Sequence, residues 1–236
     1  MVKKILALCV IFLCGFAGLT FAQDTKPLQV GIFNPVQIAP AQDAIVGLRL
    51  SIPYSRSQEI QGISLGVWNQ TTGDMKGIEL GTVNWTDGVS QGIKVGLLDY
   101  AAGRSVGIDA AVINLKKADT TGVQLGVFNW NEGFFHGIEF GVVNVVSGRF
   151  TGYQVGGLNI IKGDFSGLQS GAVNHVDGTM KGVQVGGIWN YAKEMHGVQI
   201  GLVNGTDSLD GLQIGLANYN ADKEPMEFMV LLNWSF

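Results

Sequence analysis

The chain has 236 residues, a net charge of −4, 46% hydrophobic and 14% charged residues, and an excess of glycine, 35 in all. It has no basic stripe, which excludes the usual electrostatic footprint of a nucleic-acid binder. The glycines do not recur every third residue, which excludes a collagen helix.

In chain order, residues 1–22 read as a signal peptide. Lys3 and Lys4 precede an apolar run from Ile5 to Leu19, and Thr20-Phe21-Ala22 places small residues at the cleavage positions. Cleavage after Ala22 is expected, leaving residues 23–236 as a single β-repeat domain. The alternatives are a retained anchor helix and a lipid-modified Cys14, whose preceding Ile11-Phe12-Leu13 are bulkier than such a site requires. Both cysteines, Cys9 and Cys14, fall in the leader, so the mature chain has no disulfide framework or thiolate metal site. Losing Lys3 and Lys4 leaves 13 basic against 19 acidic residues, a net charge of −6.

A repeat follows. Glycine recurs at Gly47, Gly62, Gly77, Gly92, Gly107, Gly122, Gly137, Gly152, Gly167, Gly182 and Gly197, always 15 apart, and Gly211 follows after 14. With this glycine at position zero, positions one, three and five are apolar, two is Gln or charged, four is glycine and seven is Asn. Gly122-Val123-Gln124-Leu125-Gly126-Val127-Phe128-Asn129 is a representative copy. Gln29, Gly31 and Asn34 fit a module starting at Pro27, and Asn233 fits a degenerate one starting at Met226, which gives fourteen modules. A longer connection around Pro35 and Pro40 separates the first two.

Alternation with period two predicts one strand per module, apolar on one face and Gly/Gln/Gly on the other. Turn formers such as Thr72-Gly73-Asp74 and Thr86-Asp87-Gly88 predict the connections. Beneath lies a weaker period of 30: position six alternates smaller residues (Val83, Ile113, Val143) with mostly larger ones (Trp68, Leu98, Phe128). Pairs of strands are therefore expected as the unit.

The fold expected is all-β, an antiparallel up-and-down barrel of about 14 short strands in an outer membrane. The even strand count and the alternating Phe228, Val230, Leu232, Trp234 ahead of Phe236 favour it. Phe228, Trp234 and Phe236 then read as a barrel-assembly signal. Against the barrel stand an apolar face of only three positions and a last strand out of phase. The alternative is a two-strand-per-coil β-solenoid, in which three apolar positions suit a thin core and Gln and Asn stack as ladders.

The tandem Gly-Leu-Gln-Ile-Gly-Leu-x-Asn units at Gly197 and Gly211, with the closing Leu231-Leu232-Asn233-Trp234-Ser235-Phe236, resemble the bacterial surface-repeat family. The resemblance covers residues 28 to 236 and implies a cell-envelope or surface location. It brings no activity, substrate or catalytic residue. Ser64, Lys94, Asp109, Asp99 and Ala111 depart from the repeat pattern.

No catalytic or metal site is expected, and no cofactor. His136, His175 and His196 lack metal-ligand spacing. The constellation with chemistry is Glu79, Lys94, Asp109 and Glu139, all at position two: a lumen or surface charge row, able to tune ion passage in a barrel. Module-end aromatics (Trp85, Tyr100, Trp130, Tyr191) suit an interfacial girdle. The expected function is an exported outer-membrane barrel with a structural or passive pore role, its partners the lipid bilayer and the barrel-assembly machinery. The alternative is a surface or periplasmic solenoid, bound to the cell or secreted, that binds a partner along its repeats.

Overall fold

The computed structural model describes residues 25–33 and 36–236. The signal-peptide reading, with Cys9 and Cys14, and the module position Asn34 lie outside these residues. Thirteen strands form one sheet: β1 (Thr25–Phe33), β2 (Val36–Gln37), β3 (Ala44–Ser57), β4 (Glu59–Thr71), β5 (Met75–Thr86), β6 (Ser90–Ala101), β7 (Ser105–Lys116), β8 (Thr120–Leu125), β9 (Phe128–Asn131), β10 (Phe135–Val146), β11 (Phe150–Ile161), β12 (Phe165–Asn220) and β13 (Phe228–Ser235).

Apart from the short β2, the strands from β1 to β12 pair in parallel with those of the next coil, β8 and β9 together filling one coil between β7 and β10. Gly62 faces Gly77 and Asn69 faces Asn84; Gly137 faces Gly152 and Asn144 faces Asn159. The repeat of fifteen is thus the register itself: each module is one turn of chain, lying flat on the turn before. An up-and-down barrel needs antiparallel neighbours joined by hairpins. The expected barrel is overturned, and the chain is a β-solenoid of about ten turns. The expected two-strand unit of 30 residues is corrected too, since one coil takes fifteen. The alternation at position six has another cause. Trp68, Val83, Leu98, Ile113 and Phe128 are successive rungs of one row, and smaller residues between the rings relieve crowding at ~4.8 Å spacing.

Each coil turns where its residues permit. The buried positions two and seven are five apart, an odd number, so strict alternation must break between them. The break falls at position five, which the ladder skips: Gly141 pairs with Gly156 and Val143 with Leu158, passing over Val142. Position zero has φ near +135° in every coil from Gly47 to Gly211, for example 135° at Gly107. A Cβ there would also overlap the carbonyl oxygen of the residue one coil earlier, Pro27 for Gly47 and the preceding glycine from Gly62 onward. Only glycine meets both conditions, which is why this residue never varies.

Positions nine and thirteen flank the polar turn and point inward. They form the apolar core: Phe135, Phe150, Phe165, Met180 and Met195 at thirteen pack with Val146, Ile161, Val176 and Ala192 at nine. The three phenylalanine rings stack at centroid separations of 4.8 and 4.9 Å. The expected solenoid core, the apolar face at positions one, three and five, is not this core. Those residues point outward.

Both ends are closed. The short β2 runs antiparallel on β1. Residues 226–236 are not a fourteenth coil, as the module count expected. They double back as β13, antiparallel to the end of β12, with Gly211 opposite Ser235 and Tyr219 opposite Phe228. Reversal of direction is the physical reason the last strand looks out of phase.

Candidate functional site: a sealed polar interior under an apolar outer face

Positions two and seven build two side-chain ladders inside the coils. At position two, Asn233 donates to Gln213, Gln213 to Gln199, Gln199 to Gln184, Gln184 to Gln169, Gln169 to Gln154 and Gln154 to Glu139, each at 2.7–2.8 Å. At position seven, Asn114 donates to Asn129 and the chain continues through Asn144, Asn159, Asn174, Asn190 and Asn204 to Asn218 at 2.8–2.9 Å. The two ladders run in opposite directions, so their amide dipoles oppose. Each of these Asn side chains except the last also donates to a backbone carbonyl of the next coil, as Asn129 does to Phe140 at 3.0 Å. Every rung therefore ties two neighbours, and an isolated coil would leave those groups unsatisfied.

The four charged residues expected at position two are all in this interior, and the solenoid has no lumen for them to line. Their row is joined by Arg49, Lys116 and Asp99, the last marked in the sequence by its departure from the repeated Asn but not connected with the row. Arg49 lies 2.6 Å from Glu79 and also bonds Ser64, the Gln70 carbonyl and Thr71. Lys116 bridges Asp99 at 2.6 Å and Asp109 at 2.9 Å. Lys94 Nζ sits 2.7 Å from Asp99 Oδ1, an ion-pair contact without hydrogen-bond alignment, and 3.8 Å from Asp109. Arg49 was visible as the position-two residue of the Gly47 module. Lys116 was visible as a lysine at position nine, where other coils carry Thr, Asn, Ala, Val or Ile.

Burial pushes Glu79 up to about 7 and lowers Arg49, against their mutual attraction. The guanidinium keeps its proton and donates to the Glu79 carboxyl at 2.6 Å, a charge-assisted hydrogen bond in either state of the acid. Burial would raise Asp99, but Lys116 and Lys94 overcome it and hold the carboxylate down at about 2. Asp109, with its weaker pairing, is raised by burial.

Glu139 has no cation. Burial lifts it to about 8, although Gln154 and Asn131 both donate to it. Its neighbour in the row, Gln124, stands between two carboxyls, Asp109 and Glu139, and neither of its amide atoms has a partner. A proton on Glu139 resolves this: the acid can donate to Gln124, whose amide N–H can in turn point at Asp109. Asn114 shows the converse, its oxygen orphaned because the preceding rung, Asp99, has no N–H to offer.

The outside is as apolar as the inside is polar. From the Gly47 coil to the Gly211 coil, positions one, three, five and six carry no charged residue. Exposure peaks at the corner, position five, where Leu97 and Val142 are 57% exposed and Leu216 62%. Charges are gathered on the turn edge, as in Lys117–Glu132 and Arg149–Asp164. Phe228, Trp234 and Phe236, expected as an assembly signal, are exposed, Phe236 by 95%. Trp234 lies opposite Leu212 and Leu232 opposite Ile214, so β13 extends the apolar rows over the capped end. His136, His175 and His196 lie on outer or turn positions, and no cluster that could hold a metal occurs among the described residues.

Searches against family models, curated proteins and solved structures each found no match.

Proposed function

We propose that this is an exported, non-catalytic envelope protein: a rigid β-solenoid that docks an apolar surface along its length through its uncharged outer face. The observation that carries the reading is the exposure of apolar residues at positions one, three and five in most coils from Gly47 to Gly211, thinned only where Gly157, Ala172 and Gly187 hold the corner. Monomeric soluble proteins rarely expose contiguous apolar patches above ~600 Å². Eleven steps of ~4.8 Å from Gly47 to Gly211 make this face roughly 50 Å long. The leader supports export, and the resemblance to the surface-repeat family supports an envelope location. Arg49 with Glu79, and Lys94 and Lys116 with Asp99 and Asp109, are paired within the coils and hold the fold.

The test is fractionation of cells expressing the full chain. Wild-type protein should stay with the envelope through high-salt and urea washes. A variant with Leu97→Asn, Val112→Asn, Val127→Asn and Val142→Asn, all on the exposed corner, should leave with the wash and keep its β circular-dichroism spectrum. Retention of that variant at the wild-type level would refute docking through this face.

A further inference from the structure

Building on the docking proposal, we infer that the surface this protein docks is a lipid membrane of low headgroup charge, along which the solenoid lies with its position-five corner inserted and its turn edge in water.

Shape makes the first argument. The apolar rows occupy both sides of a corner: positions one and three on one arm of the coil, six and eight on the other. The most exposed side chains sit on the corner between them. A second copy or a folded partner offers a surface that covers one arm, and ~800 Å² per partner already makes a stable interface. Positions one to eight span roughly 23 Å at ~3.3 Å per residue along a rod of roughly 50 Å, an area on the order of 1,200 Å² bent around an edge. A fluid apolar medium covers such an edge entirely.

The order of chemistries around the coil is the second. Apolar side chains hold most of positions three and five, the exceptions being Ser170 at three and Thr82, Gly157 and Gly187 at five; amphipathic aromatics gather at position eight, and exposed charges lie mostly from position ten onward. Trp85, Tyr100, Trp130, Tyr191 and Tyr219 occupy position eight. Trp85 donates its indole N–H to Asp87 at 2.7 Å, and the Tyr191 hydroxyl donates to Asp207 at 3.0 Å. Whereas the Trp130 indole N–H is buried without a partner, the polar tips of Trp85 and Tyr191 thus aim at the turn edge. Aromatic side chains straddling an apolar–aqueous boundary take this orientation.

Charge identifies the lipid class. The mature chain is net −6 and its turn edge mixes both signs, as in Lys117 beside Glu132. Attraction to anionic headgroups contributes little, so insertion rests on apolar area, with a depth of about 5–10 Å for interfacial elements. The backbone permits this. Interior coils hydrogen-bond to the coils on either side, and immersion of an outer face strands few N–H groups. The chain lies on the membrane and does not span it.

The experiment is flotation of the leader-processed chain, its processing verified by mass, with phosphatidylcholine vesicles in 0.15 M and 1 M salt. Wild type should float equally in both. Vesicles carrying lipid brominated near the headgroup should quench its tryptophan emission at least twofold. The four-residue corner variant should bind at least tenfold more weakly with an unchanged far-ultraviolet spectrum. Flotation only with anionic vesicles, abolished by 1 M salt, overturns the inference. So does a wild type that ignores all vesicles but forms a dimer that the corner variant loses; in that case docking through the face survives and only its occupant changes. A wild type that neither floats nor self-associates, and matches the variant throughout, overturns both.

Discussion

Asp99→Ala should cost about 3–5 kcal/mol, a large part of the ~5–15 kcal/mol available to a domain. Asp99 is the shared counter-ion of Lys94 and Lys116, each buried to within 1%. Its removal leaves two ammonium groups facing the single carboxylate of Asp109. Because coils touch only their neighbours, the loss should divide the rod locally, and denaturant unfolding should become biphasic. Combining Asp99→Ala with Lys94→Gln, Lys116→Met and Asp109→Asn should restore most of the stability, since the penalty is an unpaired buried charge and not a missing contact. A single-variant loss under ~1 kcal/mol would mean that water reaches the network. The acid limb follows from the same site: Asp99 is held at about 2, so its contribution is complete above the ordinary carboxylate range and fades as pH falls toward 2.

Glu139 gives the opposite limb. Its pKa in the folded chain is about 8 against 4.5 in the unfolded chain. Between those values the unfolded state has lost the proton and the folded state still binds it, so stability falls as pH rises through this window, by on the order of 5 kcal/mol in total. Glu139→Gln removes the titration and extends the position-two ladder, because the new amide can accept from Gln154 and donate to Gln124. The variant should match the wild type near pH 4.5 and exceed it increasingly toward pH 8, with a melting temperature several degrees higher. Parallel stability curves for the two proteins across this range would show that Glu139 does not hold a proton in the fold.

The period, the strands and the module phase could be read from residues, because a glycine that must sit at φ near +135° under a neighbouring carbonyl cannot change. The Gln and Asn ladders were foreseeable for stacked coils from identical spacing. Strand direction was not, since a period of fifteen is compatible with hairpins and with coils, and the aromatic end at Phe236 favoured the former. The inward face was not foreseeable either. Alternation separates two faces without saying which is buried, and the usual rule sends Val, Leu and Ile inside. The signal that could have reversed it is glycine at positions zero and four on the Gln side: the face without room for a Cβ is the crowded one. The true apolar core was concealed among turn residues. Met75, Phe135, Phe150, Phe165, Met180 and Met195 repeat two residues before the glycine, at the same spacing of 15.

Of the site, the row Glu79, Lys94, Asp109 and Glu139 was legible as a set because it replaces a repeated glutamine. Its partners were not all legible. Arg49 was a simple substitution at the same position, but Asp99 and Lys116 come from positions seven and nine and meet the row only when the coil closes.

Interspin distances test directly whether coils of fifteen residues stack in parallel. Single pairs of spin labels can join position ten of one coil, Thr72→Cys, to the same position four, six or nine coils on, at Glu132→Cys, Lys162→Cys or Asp207→Cys. The leader-processed chain has no other cysteine. A solenoid predicts roughly 19, 29 and 43 Å, rising linearly at ~4.8 Å per coil. Distances that rise and then fall with separation, as around the rim of a closed barrel, would contradict it.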